Sequence, residues 1–190
     1  MRSVKENAIL ATATKLFSER GYHVIGIDRI IAESNVAKMT FYKYFISKEE
    51  LIEKVLENRD QLIREKILES INSATTPRKR LYAIFTWYEN WMKQKDFNSC
   101  MFIKASEEFS VTDNKKIREI SKAHKLWLLN TIADILRDLG VYSEELSYHI
   151  LILLDGLTVN ANILGKSKEV HAQVESSWKY VETLIKQGKE

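Results

Sequence analysis

Apolar residues recur along this chain at three- and four-residue spacing, with polar residues between them, which is the pattern of amphipathic helices. Ile9, Ala13, Leu16 and Phe17 form one such stripe. It predicts a helix over about 4–20, opened by the capping box Ser3-x-x-Glu6 and ended at Gly21. A short second helix fits Ile27 to Ser34, with Ile27, Ile30 and Ile31 on one face, Asp28 in the first turn and Asn35 as the turn residue.

The segment from Lys38 to Phe45 is rich in aromatics, which favour strands. As a strand, however, it would place Phe41 and Phe45 on one face with Met39 and Lys43, so no clean buried side results. As a helix, Phe41 and Phe45 fall at i and i+4 on an inward stripe, and Lys38, Met39, Thr40, Tyr42 and Lys43 face outward, with Tyr44 at the margin. The helical reading explains more residues.

Ser47 and Glu50 then open a long helix to about Asn72, with Leu51, Val55, Leu62 and Leu68 as its apolar positions. Thr76-Pro77 begins a helix to about Lys93. A short helix at about 100–110 follows, then long ones opened by Asp113, Ser143 and Ser167 and running to Gly140, Gly165 and about Gln187. Nine helices and no strand predict an all-α protein.

Composition supports long helices joined by short turns, because 190 residues contain only one proline and six glycines. The single cysteine, Cys100, excludes an intrachain disulfide, and no basic-then-apolar leader is seen, so a cytosolic (cytoplasmic) protein is expected. The longest wholly apolar run, Ile150 to Leu154, is far short of the about 20 residues of a bilayer span, so no membrane segment is expected. Residues 1–47 carry seven Lys/Arg against four Asp/Glu, and this excess of three equals the whole net charge of +3. The basic bias is local to the N-terminal helices, where it fits either an anionic partner or, being only three charges, an accident of composition.

A helix, a short helix, a tight turn and another short helix in residues 4–45 form a helix-turn-helix arrangement, whose last helix lies in the DNA major groove. The run "FSERGYHVIGIDRIIAESNVAKMTFYKYFISKEELIEKVLE", residues 17–57, resembles the DNA-binding domain of the TetR (tetracycline repressor, TetR/AcrR) family of transcriptional regulators. The matching features are Phe17 to Gly21-Tyr22, Ile30 to Ala32, Val36-x-Lys38-x-Thr40-Phe41-Tyr42-x-Tyr44-Phe45 and Ser47 to Leu51. Five positions depart from the pattern: Ile25 and Gly26 stand where Ser/Thr is usual, Asn35 replaces a common glycine, Ala37 a frequent serine cap, and Met39 a small residue.

The resemblance implies a nine-helix fold, with a DNA-binding domain at 1–47, helix four at 48–72 as connector, and a ligand-binding and dimerisation domain over 48–190. It implies that Lys38, Met39 and Thr40 approach base edges and that Tyr42, Tyr44 and Lys48 bind phosphates, with Gly26 and Lys43 completing the DNA-binding set. Arg2 and Lys5 would add non-specific contacts or be plain surface charges. The implied partners are double-stranded operator DNA, a small-molecule effector and a second copy of the chain. No cofactor is expected.

The helix at 143–165 is apolar nearly all round and so requires cover all round. Leu146, Ile150, Leu153, Leu154 and Leu157 form one side, and Ile152, Val159 and Ile163 another. The former side, with Trp178, Val181, Leu184 and Ile185 of the last helix, is expected at the dimer interface. Trp87, Tyr88, Trp91, Met92, Met101, Phe102 and Trp127 suit either an apolar ligand cavity or a plain core. His124, Asn130, Asp155 and Asn160 are its candidate polar anchors. Asp155, set among apolar neighbours, needs a partner, ligand or structural cation.

The enzyme reading finds no constellation. His23, His124, His149 and His171 show no metal-ligand spacing, Cys100 has no CxxC partner, and no glycine-rich phosphate loop follows a strand. The competing non-enzymatic reading is a ligand-sensing or protein-interaction dimer whose helix-turn-helix has drifted, motivated by Asn35, Ala37 and Met39.

Overall fold

A computed structural model describes residues 3–112, 114–165 and 168–188, with Lys168 through its backbone alone. Among these residues there are nine helices and no strand: α1 Val4–Arg20, α2 Ile27–Ser34, α3 Lys38–Tyr44, α4 Lys48–Asn72, α5 Pro77–Met92, α6 Met101–Glu108, α7 Lys115–Asp138, α8 Glu144–Leu164 and α9 Lys168–Gln187. Asp113 and Ser167, expected to open α7 and α9, and Arg2 lie outside the described residues.

The local signals act as expected at the helix ends. Ser3 Oγ accepts from the Glu6 amide at 3.1 Å, and Thr76 Oγ1 accepts from the Lys79 amide at 3.3 Å. Asn35 is left-handed at φ 54°, as its place between α2 and α3 requires. The cap of α4 is a variant: Ser47 Oγ accepts from the Glu50 amide at 3.1 Å, but the Glu50 carboxylate reaches back to the Ile46 amide at 2.8 Å. Neither Gly26 nor Ala37 supplies a side-chain cap to α2 or α3.

The chain divides into two compact units, residues 1–62 with 100–124, and 63–99 with 125–190. The expected boundary at residue 47 is therefore not where the units part. The division falls inside α4, at the Ser99–Cys100 junction and inside α7, so that α6 belongs with the N-terminal helices.

In the first unit, α1 packs on α2 and α3. Phe17, Tyr22, Ile30, Phe41, Leu51 and Val55 are fully enclosed. The loop after α1 is fastened to α6. The Glu108 carboxylate accepts from the Tyr22 amide at 2.8 Å and the His23 amide at 2.7 Å. Tyr22 Oη donates to the Met101 carbonyl at 2.8 Å, and Lys104 Nζ to the Ser18 carbonyl at 2.6 Å. Burial first, then nearby Cys100 and Glu108, pushes the Tyr22 phenol far above its ordinary range. Gly21 is needed at this junction, since its φ is +85° and an added Cβ would lie 2.6 Å from Glu108 Oε1.

In the second unit, α5, α8 and α9 pack on one another. Trp178 of α9 stacks obliquely on Tyr82 and meets Phe85 edge-on, at centroid distances of 4.9 and 5.5 Å. Tyr82 Oη donates to Glu175 at 2.8 Å. On α4 the apolar stripe differs from expectation: Leu62 and Leu68 are 42% and 40% exposed, and Ile63, Ile67 and Ile71 are buried instead. The buried positions follow the 3.6-residue period more closely than the leucines do.

The expected dimer residues also need correction. Leu146, Ile150, Leu157, Trp178, Val181 and Ile185 are buried within the chain itself, and Leu153 is half-buried. They form the core of the second unit, because this is the side of α8 and α9 that meets α5. The free side of α8 carries Tyr148, Ile152, Gly156, Val159 and Ile163. By length and composition alone α8 is apolar enough to cross a membrane; here one side of it is core.

Candidate nucleic-acid interface

The helical period divides α3 and its C-cap residue Phe45 into an inward and an outward side. Phe41 and Phe45 are buried with ring centroids 5.9 Å apart, fixing the helix to the first unit. Lys38, Met39, Tyr42 and Lys43 are exposed, and Thr40 and Tyr44 are half-buried. Tyr42 rests edge-on against Phe41 at 5.3 Å, so its ring is held while the residue stays exposed.

Neighbouring elements set the polar tips. Lys38 Nζ lies 3.3 Å from Asp28 Oδ1 at the start of α2. Both groups are well exposed, so this pair is weak and exchanges readily for a stronger anion. The Tyr44 phenol oxygen accepts from Ser3 Oγ at 2.7 Å, which ties α3 to the cap of α1. Its own hydrogen remains to be donated. Lys48 Nζ donates to the His23 carbonyl at 3.2 Å, and burial lowers its pKa from the ordinary value against the opposing pull of Glu49 and Glu108. An ammonium carries three hydrogens, so this bond leaves donors free for phosphate. Gly26 is exposed at the start of α2, and nothing lies within 4 Å of where a Cβ would be. Lys5 is exposed on the first turn of α1.

The face therefore combines two ammonium groups, Lys38 and Lys43, one apolar side chain and two phenols, with Lys48 beside it in the chain. Lysines and tyrosine hydroxyls donate to phosphate oxygens, and groups on the helix surface reach base edges. Ser3, Asp28 and Glu108 position this surface and were not among the expected residues. Ser3 and Asp28 carried local signals, a capping box and a first-turn anion, but nothing in the spacing pointed to Tyr44 or Lys38 as their further partners.

The residues expected around a ligand separate between the units. Met101, Phe102 and His124 belong to the first: His124 stacks on Phe102 at 3.8 Å, and its Nδ1 lies 2.8 Å from Asp60 Oδ1. Trp87, Tyr88, Trp91, Met92, Trp127, Asp155 and Asn160 belong to the second. There Trp87, Tyr88 and Trp91 form a ring cluster with centroids 5.2 to 5.7 Å apart, and the Arg64 guanidinium lies 5.0 Å over Trp127. Asp155 has found its partner in Lys125, and Asn160 is exposed, which removes it from any enclosed site. A groove of about 380 Å³ in the second unit is lined by other residues, among them Tyr142, Leu146, His149 and Leu184.

This helix-turn-helix in an all-helical chain has close counterparts among known proteins. The family model for bacterial regulatory proteins of the tetR family matches residues 9–55. SCO4454, a TetR-family transcriptional regulator from Streptomyces coelicolor, superimposes with a TM-score of 0.88 over 99% of this chain and 91% of its own, at 25% identity. CifR, a TetR family transcriptional regulator solved as a cysteine mutant complexed with 26-bp operator DNA, gives 0.81 over 94% and 97% at 17% identity, which shows the shared fold. YuxN, an HTH-type transcriptional regulator of Bacillus subtilis, is 26% identical over 155 residues, covering 81% of this chain and 52% of that protein. The chain spans about half the length of the curated relatives it matches, and these relatives are regulators rather than enzymes. Residues 9–55 thus match the tetR family of bacterial regulatory proteins, and the described helices share the fold of TetR-family regulators.

Proposed function

We propose that the chain is a ligand-responsive, DNA-binding transcriptional regulator, a repressor that a small molecule releases from its operator. The carrying observation is the division of α3, with Phe41 and Phe45 buried in the domain and Lys38, Met39, Tyr42 and Lys43 presented outward. CifR, which shares the fold, was solved with 26-bp operator DNA, which supports the DNA-binding part of this reading.

In this reading residues 1–47, with Lys48 at the start of α4, engage DNA, and the remainder holds the effector and joins two copies in the cytoplasm. A reader of two half-sites needs its recognition helices about 34–36 Å apart, or a multiple of that. The dimer face is the free side of α8, where Ile152 and Ile163 are 63% and 71% exposed. Trp87, Tyr88, Trp91 and Trp127 of the second unit are the ligand candidates. One helix, α4, contains both Lys48 and residues of the second unit, so an effector that displaces α4 changes the spacing of the recognition helices. To regulate, the effector must bind one spacing better than the other.

The test is binding of the purified chain to labelled fragments of the DNA upstream of its own coding region. Retention on one fragment, resistant to excess non-specific duplex, is the expected result. Equal binding to every fragment, or none, would favour a helical ligand-sensing dimer without DNA function.

A further inference from the structure

Met39 stands out on the proposed DNA face, and the argument for its role rests on that reading of α3. It occupies the second position of the helix and is 84% exposed. Its neighbours on the outward side are charged or hydroxylated: Lys38 before it, Tyr42 and Lys43 one turn on. The face itself is held in place, because Tyr42 rests on Phe41 and Phe41 is fully enclosed.

The chemistry of a thioether limits what such a side chain can read. It has no hydrogen to donate and only a weak acceptor, so it adds nothing to hydrogen-bond recognition of base edges. The major groove presents one apolar group, the C5-methyl of thymine. A long unbranched side chain with three rotatable bonds reaches such a methyl across more than one base step. The N-cap residue of α3 is Ala37, whose side chain is a single methyl and makes no cap hydrogen bond.

We infer that Met39 is a specificity-determining residue that reads a thymine methyl in each operator half-site. Lys38, released from Asp28, then serves the adjacent base or phosphate, and the selectivity at the Met39 position is for a methyl group rather than for a donor or acceptor pattern.

The experiment selects bound duplexes from a random pool with the intact chain, then replaces each thymine of the selected site by deoxyuridine, which removes the methyl alone. The expected result is one thymine per half-site whose replacement weakens binding about three- to tenfold, the size expected for one buried methyl. In Met39→Ala the same replacement should change nothing, and Met39→Gln should move the preference at that position toward adenine. Both variants lie on an exposed position, and their helix content should match the parent. If no thymine is sensitive to loss of its methyl, or if Met39→Ala is as sensitive as the parent, the inference is overturned while DNA binding stands. If no duplex is selected, the regulator reading itself falls and takes the inference with it.

Discussion

The hydroxyl of Ser3 donates to the phenol oxygen of Tyr44 at 2.7 Å while its own oxygen accepts from the Glu6 amide at 3.1 Å. A single side chain thus caps α1 and positions a tyrosine of α3, 41 residues further along the chain. Hydrogen bonds in series polarise one another, so the Tyr44 hydroxyl is a stronger donor for an incoming phosphate than an isolated phenol. Tyr44→Phe should weaken operator binding by about tenfold, the loss of a hydrogen bond to a charged group, with little change in thermal stability. Ser3→Ala should weaken binding and also lower stability by about 0.5–2 kcal/mol through the lost cap, whereas Ser3→Thr should restore both. Paired titrations of DNA binding and thermal melts separate the two roles.

The junction of Gly21 with Glu108 should behave as one unit. Gly21→Ala places a Cβ 2.6 Å from Glu108 Oε1 at a φ of +85°, and should cost about 1–3 kcal/mol. Glu108→Ala strips the acceptor from two amides, at Tyr22 and His23, and should cost a similar amount, about 1–3 kcal/mol. In the double variant the clash is gone, so the two costs should fall short of their sum by at least about 0.5 kcal/mol. Denaturant titration of the four proteins measures this; strict additivity would mean that the two residues do not share the junction.

The two sides of α8 should respond to substitution in opposite ways. Ile152→Glu, on the exposed side, should convert a dimer to monomer in sedimentation experiments while leaving the fold's melting largely unchanged. Ile150→Ala, fully enclosed, should lower stability by about 2–5 kcal/mol by opening a cavity. A monomeric Ile150→Ala of normal stability would restore the interface expected from the sequence.

Glu89 should contribute to acid unfolding. Burial alone would raise its pKa, but hydrogen bonds from Lys93 and from His171, 2.8 Å away, outweigh this and hold the carboxyl below its ordinary value. A carboxyl depressed in the folded state stabilises the protein above its unfolded pKa, and that stabilisation is lost as pH falls through the folded value. Glu89→Gln should therefore be less stable than the parent at neutral pH and should show a shallower fall in stability below about pH 4.5, the ordinary carboxylate range. Melting temperatures across pH 3–7 would show it, and identical acid limbs would remove Glu89 from the account.

Elements governed by neighbours in the chain were legible in the sequence. The bounds of α1 and α2, the turn at Asn35 and the helical nature of the aromatic run from Phe41 to Phe45 all follow from caps, positive φ and periodicity. What escaped depends on distant partners. The sidedness of α8 could not be read from its pattern, because both sides are apolar and only the packing of α5 decides which is core. On α4, two overlapping apolar patterns competed, and Ile63 and Ile67 won over Leu62 and Leu68. The place of α6 in the first unit depends on Glu108 and Lys104 meeting α1 and its following loop across about 86 residues, and no local pattern encodes that. On α3, Lys38, Met39, Tyr42 and Lys43 sit on the outward side as the period required, whereas Asn160 turned outward and the other ligand candidates divided between the two units.

The most direct test of the central claim is the salt dependence of operator affinity, measured by fluorescence anisotropy for the parent and for Lys48→Ala. If Lys38, Lys43 and Lys48 of each copy neutralise phosphates, six contacts per dimer predict a slope of log affinity against log salt of about −5. Lys48→Ala should make that slope shallower by about 2, one contact per copy, without dissociating the dimer. An affinity independent of salt, or a slope that Lys48→Ala leaves unchanged, would contradict the account of this face as the one that meets DNA.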